Sequence, residues 1–156
     1  MKLIVPYVTS PFRYACSETV AEMFLNYYDI FDWDAIRIHK EGYKSFEGTS
    51  ETNDLGIENF FNNNTFNSLN LGNIKFNAKI KYSNDQSYIQ KLLRNKIPVI
   101  ARVKNPDNSL HTILLIGYTQ NGYIYHCPDT KSNKIIDYNK FNEIFSKYME
   151  VIIGDN

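Results

Sequence analysis

At 156 residues the chain falls within the size of one folded domain, and its 43% apolar and 22% charged residues are ordinary globular values that argue against wholesale disorder. Lys plus Arg and Asp plus Glu are balanced at 17 each with no basic run, so the electrostatic footprint of a nucleic-acid binder is missing. No stretch approaches the ~18 consecutive apolar residues of a membrane span, and Met1 to Pro6 is too short for the apolar region of a signal peptide. The expectation is one domain over residues 1–156, cytoplasmic, or secreted if a leader has been removed.

In chain order, Leu3 to Val8 is a short apolar run ending at Thr9-Ser10-Pro11, which predicts a strand or extended arm. From Cys16 onward, Val20, Met23, Phe24, Tyr27 and Tyr28 recur at helical spacing, so an amphipathic helix begins with Cys16 and Ser17 at its N-terminus. A weaker helix is expected over Asp32 to His39 with Asp32 as its cap, followed by a polar loop from Gly42 to Asn53. Asp54 to Phe61 reads as a short helix, and Asn62 to Asn73 as an Asn-rich connection with no period. Ile74, Phe76, Ala78 and Ile80 alternate with polar residues, which predicts a half-exposed strand from Asn73 to Tyr82. Asn84 or Asp85 caps a helix through Leu93, broken by Asn95-Lys96-Ile97-Pro98. Strands follow at Pro98 to Val103, Leu110 to Tyr118 and Tyr123 to Cys127, the last two joined by Asn121-Gly122, a strong hairpin signal. Leu110 to Gly117 is apolar on both faces and should lie centrally in the sheet. A short strand near Lys134 to Tyr138, a helix from Asn139 to Tyr148 and a last strand from Glu150 to Ile153 close the chain. The order predicts an α+β fold, a helical N-terminal half packed on a C-terminal antiparallel sheet.

Only Cys16 and Cys127 are available as thiols, too few for a disulfide framework and without the paired spacing of a zinc site; no metal or cofactor is called for. A cysteine at a helix N-terminus is placed where backbone N–H groups and the helix dipole favour the thiolate, the nucleophilic form, although a free cysteine there serves equally as a small buried side chain. His111 opens an otherwise apolar strand, an expensive place for an imidazole without a partner or a task. His126 and His39 compete with it as base.

Asp129 is the nearest acid to His111 on the partner strand and a candidate to orient its ring. A two-residue Asn121-Gly122 loop would put Asp129 opposite Leu114, away from His111, and bring His126 to the His111 face. A three-residue loop with Gly122 in the left-handed region puts Asp129 opposite Ile113, diagonal to His111 on one face, and a bulge near Pro128 would have the same effect. The second arrangement is expected.

Cys at a helix start, the Ile97-Pro-Val-Ile100 strand, the His111-x-x-x-x-x-Gly117-Tyr118 strand, the Asn121-Gly122 hairpin and the Pro128-Asp129 turn together resemble papain-like cysteine peptidases. The branch they resemble is the compact bacterial one of double-glycine leader peptidases and their stand-alone relatives. The resemblance implies a papain-like fold, a peptide or protein substrate, Cys16 as nucleophile, His111 as general base and Asp129 as orienter. It also implies an oxyanion hole at Ser10 and Cys16. The family carries Gln at the position of Ser10, Gly at that of Ser17, and its acid before a Pro, whereas here the order is Pro128-Asp129. The implied activity is thiol-dependent peptide hydrolysis. An amide-forming acyltransferase and an inactive peptide-binding domain are the alternatives, and the oligomeric state is left open.

Overall fold

The computed structural model describes residues 1–12, 15–42, 54–129 and 131–154. The expected loop from Gly42 to Asn53 lies, from residue 43 on, outside the described residues. The first helix, α1, runs Cys16–Tyr27, and Val20, Met23 and Phe24 are fully buried along its inner stripe. Next come α2 (Ala35–Arg37) and a π-helical turn (Ile38–Gly42). The cap of α2 is Asp34, which accepts from Arg37 N at 2.7 Å, rather than the expected Asp32. Asp32 instead offers its backbone carbonyl to the Arg37 guanidinium. Helix α3 (Asp54–Asn63) packs toward the strands that follow it.

The Asn-rich stretch contains a small hairpin, β1 (Phe66–Ser68) and β2 (Gly72–Ile74), closed by Gly72 at φ +73°. Then follow β3 (Phe76–Lys81), α4 (Gln86–Arg94), β4 (Val99–Lys104), β5 (Leu110–Tyr118), β6 (Gly122–Cys127), β7 (Lys131–Asp137), α5 (Tyr138–Ile144) and β8 (Phe145–Ile153). Asp85 caps α4, accepting from Tyr88 N at 3.1 Å.

Six strands form one antiparallel sheet in the order β3-β8-β4-β5-β6-β7. The expected helix over Asn139 to Tyr148 stops at Ile144, because β4 and β3 both need β8 as a partner. Tyr148 pairs with Ala101 on one side and Lys81 on the other. Ladder hydrogen bonds to two neighbours outweigh a weak helical preference. The exposed side of β3 is covered from α3. The Asn62 side chain exchanges two bonds with the Ala78 backbone (2.7 and 3.0 Å), and Glu58 accepts from Ile80 N at 3.0 Å. That is a direct way of blunting a sheet edge.

The core lies between α1, α3 and the sheet, and edge-to-face aromatic contacts among Phe24, Phe60, Phe61, Phe66 and Phe76 fill it. The N-terminal residues form an extended arm. Leu3 N donates to Ile116 O at 2.7 Å and Tyr118 N to Met1 O at 3.0 Å, and Gly117 is required there because a Cβ would stand 2.3 Å from Met1 O. The arm then crosses to the end of β6, where Tyr7 Oη donates to Cys127 O at 2.7 Å and Ser10 N to Pro128 O at 3.1 Å. It delivers the chain to the start of α1.

Candidate active site

Three elements converge on one point: the first turn of α1, the start of β5 and the end of β6. No side chain of the described residues caps α1, so its first backbone N–H groups are not consumed by a capping oxygen. Cys16 occupies that first turn, partly exposed. The next residue, Ser17, is buried and shares a 2.8 Å hydrogen bond with the Thr112 hydroxyl. Arg102 Nη1 on β4 donates to the same Thr112 oxygen at 3.0 Å and to Ser17 Oγ at 3.5 Å. This polar knot locks the neighbour of Cys16 to the neighbour of His111, and so fixes α1 relative to β5.

Across that junction the Cys16 thiol faces the His111 imidazole and Thr112. Burial pushes the thiol up, but the bonds from His111 and Thr112 and the charge of the imidazolium outweigh it, leaving Cys16 below its ordinary range. For His111, burial works against the charged ring, yet hydrogen bonds and charges of Cys127 and Cys16 raise it to about 10. Both directions favour the thiolate–imidazolium form of the pair over the neutral one, the form in which a cysteine nucleophile is pre-activated.

His111 Nε2 lies 3.0 Å from Cys127 Sγ, and Nδ1 lies 3.6 Å from Asp129 Oδ2. The register explains why both reach the ring. Leu114 pairs with His126 and Leu115 with Tyr125, so Cys127 and Asp129 fall on the His111 face and His126 on the opposite one. Asp129 therefore shares the expected face, but neither expected loop produces it. Beyond the pair Tyr118↔Tyr123, Thr119 N donates to Gly122 O at 2.8 Å, so the turn is Gln120-Asn121, and the register shifts again between Leu115 and Gly117. Gly122 is not in the left-handed region, contrary to expectation. It starts β6 and is glycine because a Cβ would meet Ile136 O at 2.0 Å.

His126 is buried, and both of its nitrogens are engaged. Nε2 donates to Val5 O at 2.8 Å and Nδ1 accepts from Asn133 N at 3.1 Å. Burial holds it below its ordinary pKa, and it ties the arm to the sheet rather than serving as a base. His39 stands on the far side of α1, 3.4 Å from Glu18 and against the Phe12 ring. Ser10 lies beside the first turns of α1 with its hydroxyl 3.3 Å from that of Thr19. Of the expected residues, then, Cys16, His111 and Asp129 converge, and Ser10 flanks them.

Two participants are absent from the sequence-based set. Thr112 touches the thiol from β5, and Cys127 touches the imidazole from β6. The signal for Cys127 was its place immediately before Pro128, where the resembling family carries its acid. A groove of about 670 Å³ is lined by His111, Cys127 and Asp129 together with Lys140, Glu143 and Ile144. Among the described residues no cluster of three or more His, Cys, Asp or Glu could hold a metal ion, and no helix is long and apolar enough to cross a membrane.

Residues 2–152 match the model of the Peptidase_C39 like family. Two solved structures are similar over nearly the whole chain. One is a double glycine motif protease from an AMS/PCAT transporter, solved in complex with the leader peptide, at TM-score 0.64 and 18% identity, covering 98% of this chain and 94% of that one. The other, from Bacillus anthracis and described as a C39-like peptidase, aligns at TM-score 0.66 and 14% identity over 100% of both chains. At these identities the likeness establishes the fold. A comparison with curated proteins returns no match.

Proposed function

The chain belongs to the Peptidase_C39 like family, and from that premise we propose that it is a cysteine peptidase that cleaves a peptide bond through an acyl-enzyme on Cys16. The observation that carries this reading is the contact of the Cys16 thiol, at the start of α1, with the His111 imidazole on a central strand.

The Cys16 thiolate attacks the substrate carbonyl, forming a C–S bond and moving the carbonyl electrons onto oxygen. His111 gives its proton to the departing amine as the C–N bond breaks. Water then attacks the thioester, His111 takes the water's proton, and the C–S bond breaks to restore the thiolate. The oxyanion is met by the Cys16 backbone N–H, which no capping side chain occupies, with the Ser10 hydroxyl turning from Thr19 as the second donor. Asp129, half exposed beside Nδ1, adds negative charge near the imidazolium.

One structural neighbour is a double glycine motif protease bound to a leader peptide, so peptides carrying a double-glycine motif are the first substrates to test. The experiment is incubation of the native chain and a Cys16→Ala variant with a panel of such peptides, with product masses read in the presence and absence of added amines. Hydrolysed fragments from the native chain alone support the reading. Fragments from both proteins end it, and amide adducts in place of acids would assign an acyltransferase instead.

A further inference from the structure

We propose that Cys127 is the residue that positions the His111 imidazole, its buried Sγ accepting the Nε2–H at 3.0 Å. The proposal rests on the reading of Cys16 and His111 as the reacting pair and adds a second sulfur to the site.

A base that must give and take a proton at one nitrogen needs the other nitrogen held, so that tautomer and ring angle do not drift. Two groups approach the ring from β6 and the turn after it, and they are not equivalent. Cys127 Sγ stands 3.0 Å from Nε2. Asp129 Oδ2 stands 3.6 Å from Nδ1, beyond a hydrogen bond and at a different nitrogen.

Their settings differ as well. Cys127 is 7% exposed and ends a strand. Its carbonyl takes the Tyr7 hydroxyl at 2.7 Å, and the next carbonyl takes Ser10 N at 3.1 Å. The Asp129 side chain is 52% exposed on the turn beyond. A carboxylate in water keeps less of its attraction for the ring than a sulfur held in a protein wall, because solvent screens the former. Rigidity favours Cys127 for the same reason. A sulfur anchored by two backbone bonds constrains the ring, whereas a turn carboxylate moves with its loop.

The titratable groups around Cys127 are His111 and Cys16 across the junction, Tyr7 from the arm, Tyr125 on its own strand, Asp129 on the turn and Lys134 in the same groove. Tyr7 and Tyr125 are both pushed above their ordinary values, chiefly by burial and next by the charge of Cys127. Burial works against the imidazolium, and among the groups that favour it at His111 the hydrogen bond to Cys127 stands first.

The test begins in a Cys16→Ala variant, where Cys127 is the sole thiol and any signal is independent of nucleophilic catalysis. Thiolate absorbance near 240 nm is followed against pH alongside the His111 ring resonances. A Cys127 thiolate forming below the ordinary thiol range of ~8.5, lost on adding His111→Ala, is expected. Adding Cys127→Ala should lower the His111 midpoint by ~1 unit or more and by more than Asp129→Asn does, with Cys127→Asp restoring it. A thiol titrating in its ordinary range, or a larger shift from Asp129→Asn, overturns the proposal. The 240 nm arm needs no substitution at Cys127 and so decides even if that variant fails to fold. Failure of the peptidase reading shows separately, as labelling of Cys16 in the otherwise native chain that is indifferent to His111→Ala.

Discussion

Replacing His111 with Ala removes the cation that faces the Cys16 thiol and leaves the thiol's burial in place. At an effective dielectric near 20, opposite charges about 4 Å apart attract by ~4 kcal/mol, or roughly 3 pKa units at ~1.4 kcal/mol each. Solvent at the partly exposed thiol screens some of this attraction, and the contribution of Thr112 is untouched by the substitution, so a rise of about 2 to 3 units is expected. The thiolate fraction at neutral pH then falls by roughly 100- to 1000-fold. A more basic thiolate is a better nucleophile, with a Brønsted slope of ~0.4–0.5, which returns a factor of roughly 6 to 30. The net prediction is a loss of about 10- to 60-fold in the iodoacetamide labelling rate of Cys16 at pH values below both thiol midpoints, with His111→Ala overtaking the native chain only at alkaline pH. The assay is labelling rate against pH, with Cys16 resolved from Cys127 by peptide mass. Coincident profiles for the two proteins would refute the contact as the source of the lowered thiol.

Three further outcomes are expected. Ser10→Ala should lower kcat by roughly 10²-fold or more with little change in KM, the cost of losing an oxyanion donor, and a change under threefold would assign that donation to backbone alone. Because the folded His126 is neutral, with its pKa depressed by burial, its stabilising contribution is complete above the ordinary value of 6.5 and is lost as pH falls below it toward the folded pKa. Urea unfolding should therefore weaken by up to ~1.4 kcal/mol per pH unit in that window relative to a His126→Gln variant, and parallel pH curves for the two would contradict the neutral, doubly bonded ring. Gly122→Ala forces a methyl to 2.0 Å from Ile136 O and should cost at least ~2 kcal/mol in urea unfolding; an unchanged midpoint would show that β6 and β7 separate freely there.

Much of the fold was legible from residue patterns because the responsible forces are local. The stripe Val20, Met23, Phe24 required a helix with Cys16 at its start, and α1 has that boundary. The two-faced apolar run from Leu110 to Gly117 required a strand flanked on both sides, and β5 lies between β4 and β6. Where local preference was weak, pairing decided. Residues 145–148 read as the end of a helix and fold as the start of β8, while the Asn-rich stretch hides a hairpin and an Asn62 clamp on β3 that no period announces.

By itself the sequence determined which residue types could do chemistry and on which elements they sit: a thiol opening a helix, an imidazole opening an apolar strand, an acid and a second thiol just across a hairpin. Only the tertiary structure decided which of them meet. Side chains in a strand alternate with period two, so one residue of slip carries every group to the other face. The slip here is governed by contacts remote from the site, the approach of Ile136 to Gly122 and a register shift beside the docked N-terminal arm. Those contacts put Cys127 and Asp129 beside His111 and turn His126 into a strut, a choice that Asn121-Gly122 alone did not contain.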